Sequence, residues 1–97
     1  MYLAVAIVDA APEPGDVPRL HASIEASRAP ADQVEHVCVE RRNDHVIVAL
    51  YLLGVDVGTI GRTADQLCRR ALATWRGARP WCLRSCAVRT IGAVGTG

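Results

Sequence analysis

Two runs of β-type residues separated by a short polar break constrain the fold of this chain more than any other feature. The runs cover residues 34–41 and 46–53, and the polar segment Arg-Asn-Asp-His occupies positions 42–45 between them. Asparagine and aspartate tolerate the backbone conformations of tight turns better than most residues. The pattern therefore predicts a β-hairpin with a two-residue turn at Asn43 and Asp44.

A two-residue turn also fixes which residues of the hairpin pair across the strands. On one face, which is almost wholly aliphatic, the predicted pairs are Arg41 with Val46, Val39 with Val48 and Val37 with Leu50. On the opposite face, the predicted pairs are Glu40 with Ile47, Cys38 with Ala49, His36 with Tyr51 and Val34 with Leu53. The register thus predicts that His36 and Tyr51 are neighbours.

Three further elements of the first half follow from hydropathy patterns. Residues 2–9 are rich in β-branched side chains and apolar on both faces, which predicts a central strand. A proline-rich loop follows, and Asp16 is the predicted N-cap of a short helix that ends before Pro30. The first hairpin strand carries charges and is predicted to be an edge, whereas the second is apolar throughout and is predicted to be central.

The second half contains the clearest helical pattern of the chain. One stripe at 3.6-residue spacing is apolar and consists of Ile60, Ala64, Leu67, Cys68, Ala71, Leu72 and Trp75. The opposite stripe is polar and consists of Arg62, Asp65, Gln66, Arg69, Arg70 and Arg76. Asp56 or Thr59 is the candidate cap of this helix, and Gly77 is its predicted end. Pro80 then precedes residues 81–89, which are predicted to form a last strand at an edge of the sheet, with a helical turn as the alternative.

The predicted order of elements is β-α-β-β-α-β, which is the ferredoxin-like split βαβ pattern of the α+β class. This fold has an antiparallel four-stranded sheet with two helices on one face. The two strands that are apolar on both faces are the ones that it places at the centre. We expect one domain over residues 1–89 and a flexible tail over residues 90–97.

Two helices cover one face of such a sheet, so the other face is predicted to be exposed in a monomer. The residues assigned to this face are mainly apolar: Tyr2, Ala4, Ala6, Val8, Ile47, Ala49, Tyr51 and Leu53. A large exposed apolar patch usually marks an interaction site. We therefore expect a homodimer through the open sheet face, with another protein or a small apolar ligand as alternative occupants.

The candidate site residues are those of the open face that carry polar groups or leave space beside them. They are His36, Cys38, Tyr51, Tyr2, Ala4, Ala6 and Ala49. Imidazole and phenol groups beside small residues can line a ligand pocket. The alternative is a dimer interface, in which the alanines permit close sheet packing, and the residue pattern favours this interface.

The sequence favours neither a metal site nor a nucleic-acid interface. Cys38, Cys68, Cys82 and Cys86 fit no paired zinc-binding spacing, and we expect reduced, mostly packed thiols and no cofactor. The recurrent arginines of the second helix are typical of a solvated helix face, and the net charge is only +1. Without a signal-peptide pattern or an apolar run of about 20 residues, we expect a soluble cytoplasmic protein without membrane contact.

No motif in the sequence identifies a family, a catalytic residue or an activity. The leading hypothesis is a small, non-catalytic homodimeric module for interaction or ligand binding. The inferred packing of open sheet faces also resembles the architecture of small dimeric α+β barrel proteins, which include cofactor-free monooxygenases and cyclases of secondary metabolism. This resemblance implies the alternative hypothesis, an enzyme whose cavity is lined by His36 and Tyr51 as acid, base or orienting groups.

Overall fold

The computed structural model describes residues 1–9, 15–54, 56–73 and 82–90 of the chain. The helices and strands follow the predicted order: β1 (Tyr2–Asp9), α1 (Asp16–Ser27), a 3₁₀ turn (Pro30–Asp32), β2 (Val34–Arg41), β3 (His45–Leu52), α2 (Val57–Ala73) and β4 (Cys82–Thr90). The predicted proline-rich loop up to residue 14, Trp75, Arg76, Gly77, Pro80, Trp81 and tail residues 91–97 lie outside the described residues.

The four strands form one sheet in the order β2-β3-β1-β4, in which each neighbouring pair is antiparallel. The prediction of a ferredoxin-like α+β fold is therefore confirmed, with β1 and β3 at the centre and β2 and β4 at the edges. Helix α1 packs against β2 and α2, and α2 packs on β1 and β4. Thr90, which we assigned to the tail, is the last residue of β4.

The hairpin has the predicted register from its turn as far as His36, which pairs with Tyr51. The turn is closed by a hydrogen bond from the Arg42 backbone N–H to the His45 carbonyl, with 2.9 Å between nitrogen and oxygen. Farther from the turn, the predicted pairing of Val34 with Leu53 is wrong. A bulge after Val34 shifts the register by one position, so Val34 pairs with Leu52.

Beyond this bulge, the Leu53 backbone N–H bonds to the Gln33 carbonyl at 3.0 Å. Gln33 has φ 55°, and it is the only non-glycine residue with a positive φ in the described part of the chain. The left-handed conformation redirects the backbone between the 3₁₀ turn and β2. Because such a conformation is unusual for glutamine, neither this turn nor the resulting shift could be expected from the residue types.

The two helices begin in different ways. The prediction that Asp16 caps α1 is wrong, because Asp16 is already helical and the N-cap is Gly15, with φ 91°. In α2, the Asp56 carboxylate accepts hydrogen bonds from the Thr59 backbone N–H at 3.0 Å and the Thr59 hydroxyl at 2.7 Å. Asp56 is thus the capping side chain, and these two hydrogen bonds hold its pKa below the usual value.

The core lies between the two helices and one face of the sheet. The predicted apolar stripe of α2 is buried at Ile60, Ala64, Leu67, Cys68 and Ala71, and Leu72 packs against it while half-buried. Helix α1 contributes Leu20 and Ile24. The sheet contributes mainly aliphatic residues from three strands: Ala4, Ala6, Val8, Val37, Val46, Val48, Leu50 and Leu52.

Polar contacts also join the helices. The Ser23 hydroxyl donates a hydrogen bond to the Ala71 carbonyl at 3.1 Å, and the Arg70 guanidinium contacts the Asp32 carboxylate at 2.9 Å. These contacts link α2 to α1 and to the 3₁₀ turn. In the described part of the chain, no helix has the length and apolar character needed to cross a membrane.

Candidate interaction surface on the open sheet face

The structure corrects the predicted orientation of β1. Ala4 and Ala6 pair with core residues of β3, so these alanines face the helices and are each only 1% exposed. Tyr2 and Val8 also belong to this side and pack with the core. All four residues were therefore placed on the wrong face. Because residues 2–8 are apolar on both sides, their hydropathy pattern did not show which side the helices cover.

The open face is the side of the sheet on which neither of the two described helices, α1 and α2, packs. Its centre contains half-buried residues that pair between β1 and β3: Leu3 with Tyr51, Val5 with Ala49 and Ile7 with Ile47. Its β2 rim contains the exposed residues His36, Cys38 and Glu40, and its β4 rim contains the exposed residues Ser85, Ala87 and Arg89. The surface therefore has an apolar centre between two more polar rims.

Four of the candidate site residues lie together on the open face, namely His36, Cys38, Ala49 and Tyr51. The His36 and Tyr51 rings have centroids 5.8 Å apart and are tilted by 52° to each other. Leu53 was also assigned to this face, but it follows β3 and is 43% exposed. The cross-strand neighbours that the hairpin turn predicts are thus present at the edge of the apolar centre.

The residues that we missed are Leu3, Val5 and Ile7 of β1 and the β4 rim. Asp9 was the available signal for β1, since it lies two residues after Ile7 on the same side of the strand and a charged side chain prefers solvent. In the structure Asp9 is exposed and binds Arg84, with 2.7 Å between carboxylate and guanidinium. No comparable signal was available for β4, where a bulge interrupts the pairing with β1 next to Ile7.

Charged groups cluster where the open face approaches the hairpin turn. The Arg42 guanidinium contacts the Glu40 carboxylate at 2.6 Å on the β2 rim. At the turn, the His45 ring Nδ1 lies 2.7 Å from the Asp44 carboxylate. The hydrogen bond from His45 is the main cause that lowers the pKa of Asp44, and the positive charge of Arg84 adds a smaller effect in the same direction. At the hairpin end of the open face, the acidic side chains Glu40 and Asp44 therefore each have a basic side chain in contact within the same chain.

The four cysteines have free thiols in two different environments. Cys38 and Cys82 are exposed, which differs from the expectation that the thiols are mostly packed. Cys68 is buried, and burial raises the pKa of its thiol to about 12. Burial also raises the pKa of the half-buried Cys86 thiol. Among the residues that the structure describes, no three or more His, Cys, Asp or Glu side chains form a group suited to a metal ion.

The outer face of α2 offers no continuous free positive surface within its described residues. Arg62 and Arg69 are exposed as predicted, but the Arg69 guanidinium contacts the Asp65 carboxylate at 2.8 Å. Arg70 is used in the contact with Asp32 described above. The charges of α2 are thus partly neutralised within the fold.

A cavity of about 200 Å³ lies at the end of the sheet, between the 3₁₀ turn and the start of α2. Both carboxylates that line it have structural partners, since Asp56 caps α2 and Asp32 binds Arg70. The 3₁₀ turn uses Asp32 a second time, because its carboxylate accepts the Ala29 backbone N–H at 2.7 Å. These groups are explained by the fold without a ligand.

Compared with protein-family models, curated proteins and solved structures, this chain matches none of them. The functional inference therefore rests on the geometry of the open face.

Proposed function

We propose that this chain is a small interaction module that forms a homodimer by packing its open face against that of a second copy. The observation that carries this proposal is the apolar centre of the open face. Leu3, Val5, Ile7 and Ile47 occupy it as a contiguous group on the two central strands. Burying this group against a matching apolar surface would remove it from water, which is the main driving force of association.

The size of the open face reaches the lower limit for a specific interface. Three of its strands have eight residues. With a rise of about 3.3 Å per residue and a strand spacing of about 4.8 Å, four such strands present about 500 Å². Two copies would together bury about 1,000 Å², which is the lower limit for a specific protein interface. Sheets that pack face to face lie about 10 Å apart, and side chains from both sheets share this space. Small residues such as Ala49 and Ala87 would leave room there for larger side chains of the other copy.

The position of His36 also supports an interface in preference to a catalytic cavity. His36 is exposed and belongs to edge strand β2, so it lies at the rim of the open face. Rims of protein interfaces are polar, and aromatic residues with one polar end are common in interfaces. The His36 and Tyr51 pair has this character, with Tyr51 on central strand β3 and His36 on edge strand β2.

Sedimentation equilibrium tests the proposal directly. At about 50 µM the unmodified protein is expected to sediment as a dimer, because a micromolar dimer is largely formed at this concentration. Ala49→Arg places a charge in the middle of the open face and is expected to give a folded monomer, since an unpaired buried charge opposes association. Gln66→Arg on the exposed surface of α2 is the control and should remain dimeric.

Circular dichroism of each variant separates loss of the dimer from loss of the fold. If Ala49→Arg does not fold, Val5→Arg replaces it in the same experiment. An unmodified protein that is a native-like monomer at this concentration contradicts the proposal. A dimer that survives both arginine substitutions contradicts the use of the open face.

A further inference from the structure

Paired residues of the four strands form rows across the open face, and the polar residues lie at the ends of these rows. The row nearer the hairpin turn runs through Glu40, Ile47, Ile7 and Ser85, and the row at the far end runs through His36, Tyr51, Leu3 and Arg89. Arg84 immediately precedes Ser85 and binds Asp9, so its charge lies at the hairpin end of the β4 rim. Each rim therefore has a polar residue at both ends, and the β4 rim has an arginine at both.

If the strands of the two sheets stay roughly aligned, two symmetric arrangements can place one open face on another. A two-fold axis along the strands puts β2 of each copy over β4 of the other and keeps each row over the same row. A two-fold axis across the strands puts β4 over β4 and exchanges the two rows. Both arrangements superpose the apolar centres, so the rim charges decide between them.

The axis along the strands brings opposite charges together. Glu40 of one copy then faces the end of β4 where Arg84 lies, which is the pair of opposite charges, whereas His36 faces Arg89. The axis across the strands instead places Arg84 of one copy near Arg89 of the other. Like charges across an interface repel each other, so they disfavour the arrangement with the axis across the strands.

Given the proposed homodimer, we infer that its two-fold axis runs along the strands and that Glu40 of each copy contacts Arg84 of the other. Within one copy, Glu40 already contacts Arg42, and Arg84 already contacts Asp9. The intermolecular contact would join these two pairs into a network of four charges at each side of the dimer. Networks of this kind contribute more than isolated surface pairs.

Charge reversal with complementation tests this orientation. Glu40→Arg and Arg84→Glu are each expected to weaken the homodimer at least about tenfold, because each creates two like-charge contacts by symmetry. An equimolar mixture of the two variants is expected to form a heterodimer of near wild-type affinity. In that heterodimer, the introduced arginine faces the introduced glutamate on one side, and the native Glu40 faces the native Arg84 on the other. Native mass spectrometry distinguishes the heterodimer by mass, and sedimentation equilibrium measures its affinity.

The control is Arg62→Glu, which reverses an exposed charge on α2 and should leave the dimer affinity unchanged. If Arg84→Glu tightens the homodimer, the axis runs across the strands, because the introduced glutamate would then meet Arg89. A mixture without complementation also overturns the inferred orientation while the dimer itself stands. If the unmodified protein is monomeric, the proposed function fails and this inference fails with it.

Discussion

The two sides of the central strand β1 have nearly the same hydropathy and different environments. On the helix-covered face, Ala4, Ala6 and Val8 of β1 are each 1% exposed. On the open face, Leu3, Val5 and Ile7 of the same strand are half-buried. The comparison shows that apolar character on both sides of a central strand does not indicate which side the helices of the same chain cover.

In the middle of β1, side-chain size differs between the two sides more than hydropathy does. The alanines of β1 lie under α2, where small side chains let a helix approach the sheet closely. The larger Leu3 and Ile7 project from the open face, on which neither α1 nor α2 packs. The first face is therefore completed within one copy, and the second is suited to a partner that brings its own side chains. This difference can be tested by changing matched residues in the two regions.

The largest difference is expected from placing the same charge on adjacent residues of β1. Ala6→Arg should prevent folding, because Ala6 is 1% exposed and an arginine there is both too large and unpaired. Val5→Arg should fold, because its side chain lies on the open face, and it should lose the dimer. Far-ultraviolet circular dichroism and thermal melting measure the two outcomes. Unfolding of both variants would show that the open face already contributes to the core.

A smaller difference is expected from truncating a leucine in each region. Leu67 is 0% exposed in the core, so Leu67→Ala should lower the free energy of unfolding by about 2–5 kcal/mol. Leu3→Ala removes a half-buried side chain and should cost less than half as much when measured on a monomer. Urea unfolding at concentrations below dimer formation makes this comparison. The exposed charge of Arg69 provides a control, and Arg69→Ala should change stability little. Equal losses for the two leucines would contradict the distinction between the faces.

Most of the fold could be predicted because several local signals agreed. The polar turn fixed the hairpin register as far as His36 and Tyr51, and the stripe of α2 identified its buried side. The face of β1 could not be predicted from alternation, since both sets of its residues are apolar. The conformation of Gln33 also had no signal, because a left-handed glutamine depends on tertiary contacts such as the bond from Leu53. The surface candidates on the hairpin were therefore placed correctly, and those on β1 were not.

The third prediction compares the thiols of the two regions by their reaction rates. Cys68 should react slowly with a maleimide because it is buried and its pKa is raised to about 12. Cys38 should react much faster in dilute protein, since it is exposed on the open face. If this face forms the dimer, the Cys38 rate should fall as protein concentration rises, while the Cys68 rate stays low. Peptide mapping after timed labelling measures each rate, and a concentration-independent Cys38 rate would contradict coverage of the β2 rim.

The smallest effect is expected at the start of α2, one of the two helices that pack on the covered face of the sheet. Hydrogen bonds from Thr59 lower the pKa of Asp56 from 3.8, so this carboxylate binds its proton less readily in the folded chain than in the unfolded chain. Its contribution to stability is therefore fully present above the unfolded-state value of 3.8 and is lost as the pH falls through the lower folded-state value. Asp56→Asn keeps a capping oxygen and should flatten this acid-dependent loss, whereas Asp56→Ala should also reduce stability at neutral pH. Asp44 has a lowered pKa as well, at the hairpin turn, so some acid sensitivity should remain in both variants. Urea unfolding midpoints of the three proteins, measured from neutral pH to below pH 3.8, test these expectations. If the midpoint of Asp56→Asn falls with pH as steeply as that of the unmodified protein, the Asp56 cap does not contribute to the acid-dependent loss of stability.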